Sequence, residues 1–121
     1  MIVAGFGFRA GAGLVSLRAA LELAQRGKPA VTHLATARDK LAAVSPLADA
    51  LGLPLRGLSP EELSGVPTLT CSAASFAARA TGSLAEASAL VAAGDGARLL
   101  GSRHVSPDRM ATCAIAEGSL P

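Results

Sequence analysis

The chain has 121 residues, of which half are apolar and only 2% are aromatic, and its formal net charge is +2 at pH 7. This length predicts one domain with its own hydrophobic core, without any need of disulfides or a metal. The basic residues are scattered and the stacking aromatics typical of nucleic-acid-binding proteins are missing, so we expect no nucleic-acid partner. No apolar run reaches the ~18 residues of a membrane span and no leader pattern opens the chain, so we expect a cytoplasmic protein with no membrane partner.

The first third of the chain predicts two strands, each followed by a helix. Residues 2–5 are strand-like and lead into a glycine-rich turn, and apolar side chains recur at helical spacing over residues 14–26. Gly27 ends this helix, and residues 30–35 are typical of a second strand. Residues 36–40 then begin a new helical turn.

Seven further segments follow in chain order: a short helix at 44–51, an extended segment at 53–55, a capping box at 59–62, a strand at 66–71, a helix at 83–93, and strands at 97–100 and 110–116. Strands thus alternate with helices until a terminal antiparallel pair. This order predicts a single α/β domain over residues 1–121. Its architecture is a three-layer α/β/α sandwich around a mainly parallel sheet with an antiparallel edge.

Cysteines and histidines indicate neither a metal site nor a catalytic triad. Cys71 and Cys113 lie far apart, with no second cysteine or histidine at metal-ligand spacing, and we interpret both as reduced core thiols. His33 and His104 stand alone, with no nucleophile at motif spacing and no carboxylate to orient them.

The opening glycines superficially suggest a dinucleotide-binding loop. Gly5, Gly7 and Gly11 are spaced so that a backbone could approach a pyrophosphate. The acidic residue that holds the ribose after the second strand is missing, since residues 33–36 are His-Leu-Ala-Thr. We therefore expect no nicotinamide or flavin, and no cofactor of another kind. Two interpretations stay open: a loop that faces a different ligand, or a tight structural turn.

Two cations are placed at the predicted strand ends. Arg9 lies in the glycine loop, where it either pairs with a ligand carboxylate or is a solvated surface arginine. Thr36 can cap the helix after the second strand, and Lys40 projects from its first turns as a point charge or a tunable acid. The alternative is that this segment is a plain helix start.

The strongest helix start is the Ser83-Leu84-Ala85-Glu86 capping box. Glu86 is either a cap only, or it also faces a ligand and acts as a general base. Gly82, directly before the box, allows close approach of the backbone. Glu86 and Lys40 are the candidate catalytic residues.

Five segments together resemble a known family: residues 5–12, 34–40, 51–55, 82–90 and 112–116. The chain resembles the CobE proteins and the carboxyl-terminal domain of CbiG, from its first residues almost to its last. The resemblance implies a role in cobalamin (vitamin B12) biosynthesis, with a corrin-ring tetrapyrrole as ligand and other enzymes of that pathway as possible partners. Matching the family pattern implies eight ligand-binding positions: Gly5, Gly7, Arg9, Thr36, Lys40, Gly82, Ser83 and Glu86.

The implied ligand agrees with the chemistry of these residues, because corrin-pathway intermediates carry acetate and propionate carboxylates that arginine, lysine and backbone N–H groups can bind. CbiG proteins open a ring lactone, but they carry an additional amino-terminal region, and the acidic residue that follows the lysine in their pattern is replaced here by Leu41-Ala42-Ala43. We therefore expect an accessory or carrier protein. The alternative is a CbiG-like hydrolase with Glu86 as base and Lys40 or backbone N–H groups stabilising the oxyanion.

Overall fold

The computed structural model describes residues 1–69 and 83–118. The elements are β1 (Ile2–Phe8), α1 (Leu14–Gln25), β2 (His33–Ala37), a 3-10 turn (Arg38–Lys40), α2 (Leu41–Leu51), β3 (Leu55–Leu58), α3 (Pro60–Leu63), α4 (Leu84–Ala93), β4 (Arg98–Leu99), β5 (His104–Val105) and β6 (Ala111–Glu117). No helix in these two ranges is long and apolar enough to cross a bilayer.

One sheet organises the molecule, with strand order β3-β2-β1-β6-β4 and with β5 also paired to β6. β2 is parallel to both β1 and β3, whereas β6 is antiparallel to β1, β4 and β5. Among the described strands, β6 alone therefore runs against the common direction. The predicted α/β fold, with a mainly parallel sheet and an antiparallel side, is confirmed.

Helices cover both faces of the sheet because side chains alternate along each strand. Ala4 and Phe6 of β1 are buried with apolar residues of α1 and α2. Val3, on the opposite face, is buried with apolar residues of α3 and α4. Many of these core residues are alanines, which let the helices pack close to the sheet.

The start of α3 and the end of α2 follow local signals in the sequence. The predicted capping box at α3 is complete: Ser59 Oγ accepts from the N–H of Glu62, and Glu62 Oε1 accepts from the N–H of Ser59. The Ser59 N–H, the Ser59 hydroxyl and Arg56 hold the pKa of Glu62 below its usual value. Gly52 ends α2 in the left-handed conformation with φ of 66°.

Several strand predictions were wrong in their bounds. β1 continues to Phe8 through the predicted glycine turn, and β2 begins three residues later than predicted and ends two residues later. Residues 66–69 form no strand, and the rest of the predicted strand at 66–71 lies outside the described residues. β5 is a short strand that the sequence does not predict. Two-residue strands carry too little alternation to be recognised before their partner strand is known.

Candidate functional site

The candidate site lies at the edge of the sheet where β1, β2 and β3 end. β6 begins at the same edge, because it runs antiparallel to β1. The amino end of α4 lies there too, since Leu84 is packed beside Gly7 near the end of β1 while Ala89 is packed beside Gly5. Open α/β sheets bind ligands outside the carboxyl ends of their strands.

Gly5 and Gly7 lie inside β1, where they allow α4 to approach, and they do not form a turn. A Cβ atom on Gly5 would lie 2.1 Å from the carbonyl oxygen of Ala85, and one on Gly7 would lie 2.9 Å from Thr112 Oγ1. The turn prediction was wrong for these two residues, because a glycine serves a close backbone approach as well as a tight turn. Gly11 does lie in a turn, with φ of 88°. Contact of Gly5 and Gly7 with a ligand stays a prediction.

Arg9 directly follows β1 and is exposed. Its N–H donates to the carbonyl of Met110 at 2.9 Å, which continues the pairing of β1 with β6 by one residue. Side-chain alternation therefore places Arg9 on the face of Gly5 and Gly7, which is the face covered by α4. Within residues 1–69 and 83–118 the Arg9 guanidinium makes no ion pair or hydrogen bond.

Thr36 is not a helix cap. It lies within β2, is fully buried, and its Oγ1 donates to the carbonyl oxygen of Phe6 at 3.0 Å. The 3-10 turn instead begins after Ala37, without a side-chain cap. The cap prediction was wrong because β2 runs past the predicted strand end, so the hydroxyl bonds to the neighbouring strand.

Lys40 lies at the predicted edge, but it is bound to the protein. Its Nζ donates to the carbonyl oxygen of Phe8 at 2.8 Å and lies 4.4 Å from the centre of the Phe8 ring. The ammonium group thus joins the end of β2 to the end of β1 through a charge-assisted hydrogen bond and a cation–π contact.

Ser83 caps α4 as predicted, and its Oγ accepts from the N–H of Glu86 at 3.3 Å. Glu86 is fully buried, and its Oε2 accepts from the backbone N–H of Arg103 at 3.0 Å. The carboxylate therefore reaches a segment 17 residues further along the chain, which the capping-box prediction did not include. Gly82, the remaining predicted site residue, lies outside the described residues.

Sequence reasoning missed the turn between β5 and β6 as part of this edge. Asp108 Oδ2 accepts a hydrogen bond from Ser16 in the first turn of α1, and Oδ1 accepts from Ser106 Oγ at 2.6 Å and from the Met110 N–H at 3.1 Å. The Ser106 hydroxyl, with the Ser16 hydroxyl and the Met110 N–H, holds the pKa of Asp108 below its usual value. No sequence signal links positions 16 and 108, because their contact exists only in the folded chain.

In the part of the chain that the structure describes, no three His, Cys, Asp or Glu side chains come together as a metal site. Burial raises the pKa of the Cys113 thiol, as expected of a core cysteine, while Cys71 lies outside the described residues. His33 contacts Thr32 Oγ1 through Nδ1 at 2.7 Å, and His104 is half-buried in β5.

The geometry is suited to binding an anion on the α4 side of the edge. Arg9, exposed and without an ion-pair partner among the described residues, stands at the end of the strand that α4 covers. The amino end of α4, with its partial positive charge, points toward the same edge. The two candidate catalytic groups, Lys40 and Glu86, are both hydrogen-bonded to backbone atoms of the protein.

Comparison with known proteins gives one consistent result. Residues 2–116 match the family model described as the cobalamin synthesis G C-terminus. The crystal structure of CobE, a protein from the cobalamin (vitamin B12) biosynthetic pathway, is 31% identical with a TM-score of 0.85, over 96% of this chain and 89% of that one. The structure of cobalamin biosynthesis protein chiG from Agrobacterium tumefaciens str. C58 is 36% identical with a TM-score of 0.76, over 99% of this chain and all of that one.

A third similar structure shares the fold at lower identity. The cobalamin biosynthesis protein G homologue from Sulfolobus solfataricus is 22% identical with a TM-score of 0.72, and this chain covers 36% of its length. No curated protein matches the chain. On the family match and the two closer structures, the chain belongs to the family of cobalamin biosynthesis proteins formed by CobE and the carboxyl-terminal domain of CbiG.

Proposed function

We propose that this protein binds a carboxylate-bearing corrin-ring intermediate of cobalamin biosynthesis at the carboxyl edge of its sheet, on the side of α4, as an accessory or carrier protein. The observation that carries the proposal is Arg9, an exposed guanidinium without an ion-pair partner among the described residues. Its backbone is held by the hydrogen bond to Met110, so the side chain starts from a fixed point at the end of β1.

A corrin intermediate suits this edge because its acetate and propionate side chains are carboxylates. A guanidinium binds a carboxylate through two parallel hydrogen bonds, and the amino end of α4 adds a favourable potential. A carrier of this kind works in the cytoplasm and passes its ligand to other enzymes of the same pathway, which are then its partners.

The carrier role is favoured over lactone hydrolysis by the bonding of the candidate catalytic groups. A general base needs a carboxylate within reach of a substrate proton, but Glu86 is fully buried and accepts from Arg103. An oxyanion needs a donor aimed at the reacting atom, whereas Lys40 donates to Phe8. The hydrolase alternative predicts ring opening by the purified protein and its loss in Glu86→Gln.

The test is titration of the purified protein with hydrogenobyrinic acid, followed by the visible spectrum of the pigment. Arg9→Ala removes one charged hydrogen-bonding group of about 1.5 kcal/mol or more, so we expect the affinity to fall about tenfold or further. Arg26→Ala is the matched control, because Arg26 is also exposed but lies at the other end of α1. Equal affinities of the two variants, or no binding by the unaltered protein, would refute the proposal.

A further inference from the structure

On the side of β6 that faces away from β1, the strand pairing is interrupted. β4 and β5 pair with the same strand, and the pairing reaches Leu100, whose N–H donates to the Ile115 carbonyl at 2.8 Å. It resumes at His104, which lies opposite Cys113. Residues 101–103 thus stand opposite a single residue of β6 and form a bulge. Bulges at sheet edges redirect side chains and are frequent beside functional sites.

The bulge is held by the buried carboxyl group of Glu86. Glu86 has no exposed surface, and its Oε2 accepts from the N–H of Arg103 at 3.0 Å. Burying a carboxylate is costly unless hydrogen bonds compensate for the lost water. The Glu86 carboxyl group therefore fixes the backbone at the Arg103 end of the bulge.

The bulge ends in an arginine whose head group has no described partner. Arg103 is half-buried, and within the described ranges its guanidinium makes no ion pair or hydrogen bond. Its backbone N–H is bonded to the first turn of α4, so Arg103 lies on the same side of the sheet as Arg9. β6 separates β5 from β1, so the two arginine backbones are at least two strand spacings apart, about 10 Å.

We propose that Arg103 is a second carboxylate-binding residue and that Glu86 is the positioning residue that holds it. This inference rests on the proposed function. A ligand with carboxylates on different sides of a ring can engage Arg9 with one and Arg103 with another. Two separated contacts fix the orientation of the ring, which a single arginine cannot do.

The experiment measures the affinity for hydrogenobyrinic acid in a double-mutant cycle of Arg103→Ala and Glu86→Ala. Arg103→Ala keeps the backbone N–H, so we expect an unchanged melting temperature and a loss of affinity of about tenfold. In a Glu86→Ala background, Arg103→Ala should lower the affinity little further, because Arg103 is already displaced. Ser102→Ala, at an exposed position of the same bulge, is the control and should bind normally.

Two further measurements separate positioning from a merely structural role. The salt dependence of the affinity should weaken equally in Arg103→Ala and Glu86→Ala, because both lose one ion pair with the ligand. Exchange of the Arg103 amide should rise about tenfold in Glu86→Ala. Glu86→Gln keeps an acceptor oxygen and should recover both the amide protection and the affinity lost in Glu86→Ala.

The outcomes distinguish this inference from the proposed function. Binding by the unaltered protein that is insensitive to Arg103→Ala would overturn the role of Arg103 alone. Two results would overturn the positioning role of Glu86. One is that the affinity losses of Arg103→Ala and Glu86→Ala are fully additive in the double variant. The other is that the Arg103 amide exchanges at the same rate in Glu86→Ala as in the unaltered protein. If the unaltered protein does not bind the pigment, the proposed function and the ligand role of Arg103 fall together.

Discussion

Replacing Gly5 by alanine tests the packing that places α4 at the site. The new Cβ would lie 2.1 Å from the Ala85 carbonyl oxygen and 2.5 Å from the Ala89 nitrogen. Ordinary contact begins at 3.4 Å, so the first distance is too short by about 1.3 Å. Both atoms belong to the backbone of α4, so no side-chain rotation relieves the overlap, and the helix has to move.

The expected loss of stability is large for a single methyl group. Overpacking of a core typically costs about 1–3 kcal/mol, and a backbone clash belongs at the upper end of that range. Alanine also lowers the conformational entropy of the unfolded chain relative to glycine, which stabilises the folded protein by about 0.4–1 kcal/mol and offsets part of this loss. We therefore expect Gly5→Ala to lower the free energy of unfolding by about 2 kcal/mol or more.

Urea unfolding followed by far-UV circular dichroism is the suitable assay, because the chain has no Trp or Tyr for fluorescence. Gly101→Ala is the control, since its Cβ would meet only the Lys28 side chain, at 3.7 Å. Gly7→Ala should fall between the two, because its closest neighbour is the Thr112 hydroxyl at 2.9 Å. Equal losses in the free energy of unfolding for Gly5→Ala and Gly101→Ala, or a loss below about 1 kcal/mol for Gly5→Ala, would refute this packing argument.

Two further predictions concern titratable groups. The pKa of Asp108 in the folded protein lies below its usual value of 3.8, so its stabilising contribution is present above that value and is lost as the pH falls through the lowered pKa. Acid unfolding of Asp108→Asn should therefore show a shallower dependence on pH in this range, and an unchanged profile would contradict the assignment. Burial raises the pKa of Cys113, so in a Cys71→Ala background a thiol reagent should label the protein only as it unfolds. Rapid labelling of the native protein would show that Cys113 is accessible.

The starts of α3 and α4 could be predicted from the sequence because their signals are local. The Ser59 capping box formed with both hydrogen bonds, and Ser83 caps α4 at the predicted residue. These bonds join residues three positions apart, so the sequence contains both partners in one short segment. The alternation of strands with helices predicted the fold class, because this order can be recognised along the chain without knowledge of any tertiary contact.

The candidate site was less predictable because its contacts join distant segments. Glu86 was expected either to cap its own helix only or also to face a ligand, but its carboxyl group accepts from the N–H of Arg103. Thr36 was assigned to a helix cap, but it binds Phe6 of the neighbouring strand, 30 residues away. A carboxylate or hydroxyl has several possible partners, and the register of the strands decides which of them is near.

The sequence by itself therefore determined the α/β class, the starts of α3 and α4, the family resemblance and the presence of Arg9 after the first strand. Only the tertiary structure decided what the opening glycines do. A residue without a Cβ suits a ligand-binding turn and a close helix contact equally well. α4, about 80 residues later in the chain, packs against Gly5 and Gly7 and keeps them in β1. The first residue of this opening segment that is free to face a ligand is then Arg9.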